Sequence, residues 1–294
     1  MTVQAVRPVQ LDEAAAARAV LDRDPVVNVF VAARLEAALQ RARTSTGRTL
    51  LDRASMGGDL WAYAPDGEIE ALCFAGGNVV PVGADPVAIA AFGAALSKQP
   101  RWAASMVGPA DAVLDLWRLV APSWGPARAV RPNQPLLVVT SPPRVAPDDG
   151  VRRRDVTDLD TLFPASVAMF TEEVGVSPMG GDGGAAYRAR LREIIAAGHS
   201  FARIDDGPAG PYVLFKAEVG YATSRACQVQ GVWVPPERRG EGIGVAGMAA
   251  IVDIALREIA PVVSLYVNDY NEPARAVYDR VGFVRSHTFA TVLP

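Results

Sequence analysis

Cysteine and histidine are scarce, with two of each in 294 residues. Cys73 and Cys227 stand alone and far apart, which argues against a disulfide framework and reads as two buried small hydrophobes. With His199 and His287 the only imidazoles, a zinc cluster or a histidine-centred triad has little material, so no metal is expected. Neither sign of charge dominates: 29 Lys and Arg against 32 Asp and Glu leave a net charge of −3. That balance offers nucleic acid no electrostatic footprint. No apolar run approaches membrane-spanning length, and the opening Met1 to Pro8 lacks the basic-then-apolar pattern of a secretory leader. These absences point to a soluble, cytoplasmic, metal-free chain with neither membrane nor nucleic acid as partner. Apolar residues, by contrast, make up 50% of the chain. They suffice for the cores of two domains of ordinary size.

The most informative stretch runs from Gln228 to Gly247. Val229 to Val234 is rich in β-branched and aromatic residues, as a strand should be, and Pro235-Pro236 cannot continue a ladder. From Val245 onward an almost continuous apolar pattern at helical spacing predicts a largely buried helix. Gly240, Gly242 and Gly244 fall between the two. Glycines there let an anion approach successive backbone N–H groups, and the helix dipole favours negative charge at that end. Arg238 and Arg239 add two cations. The loop reads as a phosphate cradle.

Three kinds of phosphate site compete for it. A nucleoside-triphosphate P-loop needs a Gly-Lys-Ser/Thr step, and no lysine stands in this loop. A dinucleotide fingerprint is matched by Gly242-Ile-Gly244-Val-Ala-Gly247, with Asp269 near the end of the next strand. In that motif, however, the first glycine closely follows the strand tip, whereas seven residues from Pro235 to Glu241 intervene here. The stretch after Asp269 is also too short for a doubly wound sheet. The third reading takes Arg239-Gly240-Glu241-Gly242-Ile243-Gly244 as an Arg-x-x-Gly-x-Gly signature. Downstream come a strand at Val262–Asn268, then Asn271, a helix bearing Tyr278 and closed by Gly282, and Phe283 leading to a last strand. Together these resemble the two signatures of the GNAT superfamily of acyl-CoA-dependent N-acyltransferases, in the right order and at the right separation.

The remainder of the chain suits an α/β (mixed α+β) protein of two tandem GNAT-like domains, each a mixed, mostly antiparallel sheet flanked by helices. Leu11 to Leu39 is helical, with a break near Asp24-Pro25. Leu60–Tyr63 and Ile69–Phe74 form a hairpin over Asp66-Gly67. Val79–Val82, the helix ending at Leu96, the strand at Ser105–Gly108, the helix Pro109–Val120 and the strand Leu136–Val139 follow. Ser141 to Gly150 is proline-rich and polar, a linker. The expected domains are therefore 1–145 and 151–294. Pro109-Ala-Asp-Ala-Val-Leu114-Asp115 can be laid over Pro273-Ala-Arg-Ala-Val-Tyr278-Asp279, which suggests a duplication. In the first copy Leu114 replaces Tyr278, and Pro81-Val-Gly-Ala-Asp-Pro86 replaces the arginine–glycine loop, so that copy should not bind CoA. In the second domain, helices at Phe163–Phe170 and Tyr187–Ala196 flank a glycine-rich loop. Strands at Phe201–Ile204 and Tyr212–Val219 then meet across Asp205-Asp206-Gly207.

The resemblance implies an N-acetyltransferase that moves an acetyl group from acetyl-CoA to a primary amine in a ternary complex. By it, the backbone from Arg239 through Gly240, Glu241, Gly242, Ile243 and Gly244 to Val245 holds the pyrophosphate. The strand Val232, Trp233 and Val234 pairs with the pantetheine arm, and Asn271 contacts the pantetheine or the phosphates. Tyr278 is the implied general acid. The central strand offers only Gln228 and Gln230 where the family often has a carboxylate, so the base falls to Glu218 on the preceding strand or to Glu173 in the helix–loop region, while Glu172 reads as a surface acid. Acetyl-CoA and an amine are the expected partners, and a homodimer is left open. A non-catalytic acyl-CoA sensor is the alternative, with a dinucleotide oxidoreductase third.

Overall fold

Runs of β-branched residues alternating with apolar-striped helices fold here into two units, each with its own set of strands and helices. The computed structural model describes residues 5–44, 51, 56–208 and 210–294. The first unit takes residues 1–137, 266–270 and 285–294, and the second takes 138–265 and 271–284.

In the first unit, β1 (Val6–Pro8), β2 (Gly58–Tyr63), β3 (Ala71–Gly76) and β4 (Asn78–Val82) run antiparallel in sequence order. Helices α1 (Ala14–Leu21) and α2 (Val29–Thr44) lie between β1 and β2 in the chain. Helix α3 (Pro86–Leu96) then carries the chain to β5 (Ser105–Pro109), which pairs parallel to β4. Helix α4 (Ala110–Trp124) and β6 (Ala129–Val139) follow. β6 begins earlier than the Leu136 start expected: Pro132 and Pro135 argue against a strand, yet both lie inside it. Phe92, Leu96, Met106, Val113 and Leu116 are wholly buried in the core.

In the second unit the same succession recurs. After β7 (Arg152–Arg153), helices α5 (Leu159–Val174) and α6 (Ala185–Ala196) precede the antiparallel strands β8 (Ser200–Gly207), β9 (Gly210–Ala222) and β10 (Cys227–Trp233). Helix α7 (Ile243–Glu258) carries the chain to β11 (Val263–Tyr266), parallel to β10, and α8 (Glu272–Val281) follows. The parallel β4–α3–β5 step thus has its counterpart in β10–α7–β11, as the duplication requires.

Two sequence expectations change. The turn placed at Asp205-Asp206-Gly207 lies within β8, which pairs with β9 as far as Gly207↔Gly210. Arg203, two residues back and so on the same face, donates from Nε and Nη2 to both Asp205 oxygens at 2.8 and 3.0 Å, which makes an aspartate tolerable in the strand. The division at 145–151 also shifts. The last strand, β12 (Val284–Leu293), pairs antiparallel with β5, from Phe289↔Pro109 to Val292↔Met106, so residues 285–294 belong with the first unit rather than with 151–283. The order in that unit is β1-β2-β3-β4-β5-β12-β6. Ala290 and Val292 are fully buried in its core, and that burial secures the strand there.

Close packing sets the position of α7. A Cβ on Gly247 would come within 2.5 Å of the ring of Phe215, which is itself fully buried on β9. Gly247→Ala therefore should destabilise by about 1–3 kcal/mol despite alanine's better helix propensity, because the ring has no free volume to enter. Urea unfolding midpoints of the two proteins measure it, and an unchanged midpoint would refute the packing argument.

Candidate active site

Val232 and Trp233 lie in β10, Glu218 faces Gln230 from β9, and Arg239 to Val245 follow β10 in the chain, whereas Glu173 stands on α5, Tyr278 on α8 and Asn271 at the N-cap of α8. Its parallel register with β11 covers only Cys227↔Val263 and Gln228↔Ser264, yet β10 continues to Trp233. On its other side, Gln230 faces Glu218 and Trp233 faces Lys216, so β10 spends one more residue than β9 over that interval. This is a β-bulge at Gly231 and Val232. Gly231 has φ +63, the left-handed conformation that glycine adopts without strain. Val232 thus sits at the bulge, beside the gap left by β11.

The residues expected from the sequence to cradle phosphate form the loop after β10 and the start of α7. A 3-10 turn at Pro236–Arg238 delivers the chain to Gly242, the N-cap of α7, where φ is +84 and no side chain caps the helix. Among the described residues no acceptor meets the backbone N–H groups of Gly240 through Gly244. Cβ atoms built at Gly240 and Gly242 would meet nothing within 4 Å. The donors are therefore unmatched and open to space, an arrangement that an anion completes. The two arginines are already engaged. Arg238 grips Glu241 through Nε and Nη2, and Arg239 reaches Glu172 at 2.7 Å and the carbonyl of Val234 at 3.0 Å. Both ion pairs are exposed and weak, so a doubly charged phosphate can compete for either guanidinium.

The counterpart helix in the first unit is closed. Asp85 caps α3, its Oδ1 accepting from the N–H groups of Val87 and Ala88 at 3.0 and 2.8 Å. A carboxylate of the chain's own thus satisfies that N-terminus. Leu114 on α4 has no hydroxyl to match Tyr278.

Tyr278, on α8, is 7% exposed, and its ring meets Phe283 edge-on at 5.8 Å between centroids. Burial, assisted by the negative charge of Glu173, pushes its phenol well above the ordinary value. Asn271 caps the same helix: its Oδ1 accepts from the N–H of Ala274 at 3.2 Å, which accounts structurally for the residue type. Glu173, near the end of α5, is exposed, and its charge bears on both Tyr278 and Tyr187. Glu218 is 5% exposed and accepts from Lys216 Nζ at 2.8 Å. Trp233 packs against the apolar cluster formed with α5, α6, β8 and β9, including Leu162, Leu191 and Ala202. Its indole N–H is buried without a partner.

Two residues beside the site were not singled out from the sequence. Tyr187 on α6 donates its hydroxyl to the carbonyl of Ser166 at 3.0 Å, and burial together with the charges of Glu218 and Glu173 raises its phenol as well. Lys216 is 0% exposed. Its signal was a single cation inside the apolar run Val213–Val219, two positions from an acid and hence on the same strand face. Among the described residues no group of three or more His, Cys, Asp or Glu could hold a metal, and no helix is long and apolar enough to cross a membrane.

Comparison with known proteins gives the following. Residues 181–283 match the model of the acetyltransferase (GNAT) family. Residues 58–162 match a domain of unknown function, DUF4081. A mycothiol acetyltransferase from Acidimicrobium ferrooxidans is 33% identical over 82 residues, 28% of this chain, so the match spans about a quarter (26%) of that relative's own length. Among solved structures, a Drosophila protein aligns over 99% of this chain and 98% of its own, at 14% identity and a TM-score of 0.66. A GCN5-related N-acetyltransferase from Sphaerobacter thermophilus aligns over 98% and 94%, at 17% identity and 0.59. A tandem GNAT protein from the clavulanic acid biosynthesis pathway aligns over 98% and 99%, at 13% and 0.53. At these identities the structures establish a shared fold, that of mixed sheets flanked by helices in a tandem arrangement.

The buried phenol of Tyr278 and the half-buried phenol of Tyr187 carry a pH signature. Because folding raises their pKa, the stability they contribute is complete below the ordinary phenol value of about 10 and is lost as pH rises above it. A spectrophotometric titration of the folded chain should therefore leave Tyr187 and Tyr278 silent while exposed tyrosines ionise. Tyr187→Phe and Tyr278→Phe should each leave that first phase unchanged, and a smaller first-phase amplitude in either variant would contradict the burial argument.

Proposed function

Because residues 181–283 form a domain of the acetyltransferase (GNAT) family, we propose that this chain moves an acetyl group from acetyl-CoA to a primary amine of a small molecule or protein, by direct transfer in a ternary complex. The observation that carries the reading is the uncapped, glycine-lined N-terminus of α7, set against the Asp85-capped α3 of the first unit. One helix offers free N–H groups to a pyrophosphate and the other has spent them on its own carboxylate. The short match to a mycothiol acetyltransferase supports acetyl transfer as the reaction class.

In this reading the backbone from Arg239 to Val245 takes the pyrophosphate, with Arg239 exchanging Glu172 for a phosphate oxygen. The amide-bearing pantetheine arm lies along β10 at Val232 to Val234, on the edge that β11 has vacated. Asn271, at the start of α8, flanks the same arm. Glu173 accepts the proton that the ammonium of the acceptor must lose, and its exposure lets that proton pass to solvent. The freed amine nitrogen attacks the thioester carbonyl carbon, and the resulting oxyanion is met by backbone N–H at the β10 bulge. The nitrogen of the tetrahedral adduct gives up its second proton as the C–S bond breaks, the sulfur takes the phenolic proton of Tyr278, and the proton shed by nitrogen restores the phenol, so that amide and free thiol are the products, with one proton released overall. Glu218, held by Lys216, shapes the field beneath the acceptor. The first unit contributes no second cofactor site.

A non-catalytic acyl-CoA sensor is the second reading, favoured by one observation: Glu218, the carboxylate next to the central strand, is committed to Lys216. Thermal unfolding with acetyl-CoA, CoA, NADH and ATP separates the possibilities. A ligand that binds only the folded chain, present at a hundred times its dissociation constant, should stabilise by about 2.7 kcal/mol. Acetyl-CoA and CoA should shift the transition, and NADH and ATP should not. With an amine that supports thiol release, Tyr278→Phe should lower kcat by about a hundredfold at little change in KM. Absence of any shift with either CoA form would overturn the reading, and binding without thiol release across an amine panel would favour the sensor.

A further inference from the structure

One buried cation has served so far only to hold Glu218. Lys216 is 0% exposed, in a chain that has only two lysines and otherwise uses arginine for its positive charges. Its Nζ donates to Glu218 Oε1 at 2.8 Å and to the carbonyl of Gly231 at 3.2 Å. Gly231 is the left-handed residue of the β10 bulge. A Cβ there would come within 3.3 Å of Lys216 Nζ, 3.3 Å of Met169 on α5 and 3.4 Å of the Glu218 carboxyl carbon, so the bulge is seated directly on the ion pair.

The peptide plane connects this contact to the reaction. The peptide bonds are not cis, so the carbonyl of Gly231 and the N–H of Val232 point in opposite directions from one rigid plane. Drawing the carbonyl onto Lys216 turns the Val232 N–H the other way, away from Lys216. Neither residue has a partner in the β9 register, and β11 has left the ladder well before this level. A bulge without an anchor can rotate about such a plane, whereas a buried ammonium that is itself fixed by Glu218 cannot follow it. A lysine suits the task because its compact ammonium makes two convergent contacts, to Glu218 and to the Gly231 carbonyl.

We propose that Lys216 is a positioning residue for acyl transfer: by binding the Gly231 carbonyl it aims the Val232 N–H at the acyl carbonyl oxygen of the thioester. The inference rests on the acetyltransferase reading and adds to it the group that orients the oxyanion donor. Glu218 acts by holding Lys216.

The test uses the full chain with Lys216→Met, and with the neutral pair Lys216→Met/Glu218→Gln as a second variant that leaves no unpaired buried charge. Two readouts are needed. Hydrogen exchange at the Val232 amide should be slowed by acetyl-CoA much more than by CoA in the parent protein, and that acetyl-dependent difference should vanish in the variants. Turnover should fall about a hundredfold in kcat, the scale of a lost oxyanion donor, with KM for acetyl-CoA within about threefold. A general structural role would instead weaken CoA and acetyl-CoA binding together. Retention of the acetyl-specific protection at Val232 in the neutral-pair variant, with normal turnover, overturns this inference and leaves the acetyltransferase reading standing. A parent protein that binds neither CoA form overturns that reading, and this inference with it.

Discussion

The constraint on which the second unit depends is that β10 and β11 pair only at their starts. Parallel strands gain stability from each residue kept in register, yet the recorded pairing stops at Gln228↔Ser264 while β10 runs on to Trp233. The bulge at Gly231 and Val232 accompanies this parting, since an extra residue on one strand bends it and increases its local twist. A gap between two parallel strands leaves backbone donors and acceptors unpaired at the head of a helix that follows directly. In the proposed reading, such a place receives an extended, amide-bearing ligand ending in phosphates. Helix α7 keeps its position because Gly247 lets it approach the Phe215 ring, and that packing fixes where its N-terminal N–H groups lie.

The two units show how one supersecondary step can be open or closed to an anion. Each has a strand, a loop, a helix and a parallel strand, with a second helix after it. In the first unit the loop contributes Asp85, whose carboxylate takes the first N–H groups of α3, and Pro86 begins the helix. That helix start is well capped and has nothing left to bind with. In the second the N-cap is Gly242, the cap is missing, and the stability it would have supplied is forgone. Forgoing a cap is worth its cost only where something else completes the helix end.

Buried polarity marks the same region. Lys216 and Glu218 are buried against the bulge, Tyr278 is buried on α8, and Tyr187 is half-buried on α6, where its hydroxyl bonds to Ser166. Replacing such a pair with apolar side chains often costs a protein nothing, so its presence calls for a role other than stability. The contact of Lys216 with the Gly231 carbonyl supplies one, because it couples a charge in the core to the direction of a backbone N–H at the site.

Much of this was legible in the chain itself, for local reasons. Three glycines after an Arg-Arg step and before an apolar helix can be read without a fold, because left-handed backbone and an uncapped helix start are properties of neighbouring residues. The hairpin over Asp66-Gly67 and the helix Asn271–Gly282 are legible on the same ground, each carrying its own turn or cap. Pairing between distant segments is a different matter. The turn at Asp205 to Gly207 misread because Arg203 neutralises an aspartate that composition alone assigns to a loop, and β6 ran past two prolines that should have ended it. Nothing near Val284–Leu293 says that the last strand joins the first unit, since it is the burial of Ala290 and Val292 against a core more than a hundred residues earlier in the chain that decides it. The sequence by itself determined the glycine-lined start of α7 and the capped helix that bears Tyr278. Only the tertiary structure decided which carboxylate meets Lys216, where β10 and β11 part, and that the final strand pairs with β5, because hydrogen-bond register and burial are settled between elements and are written in none of them alone.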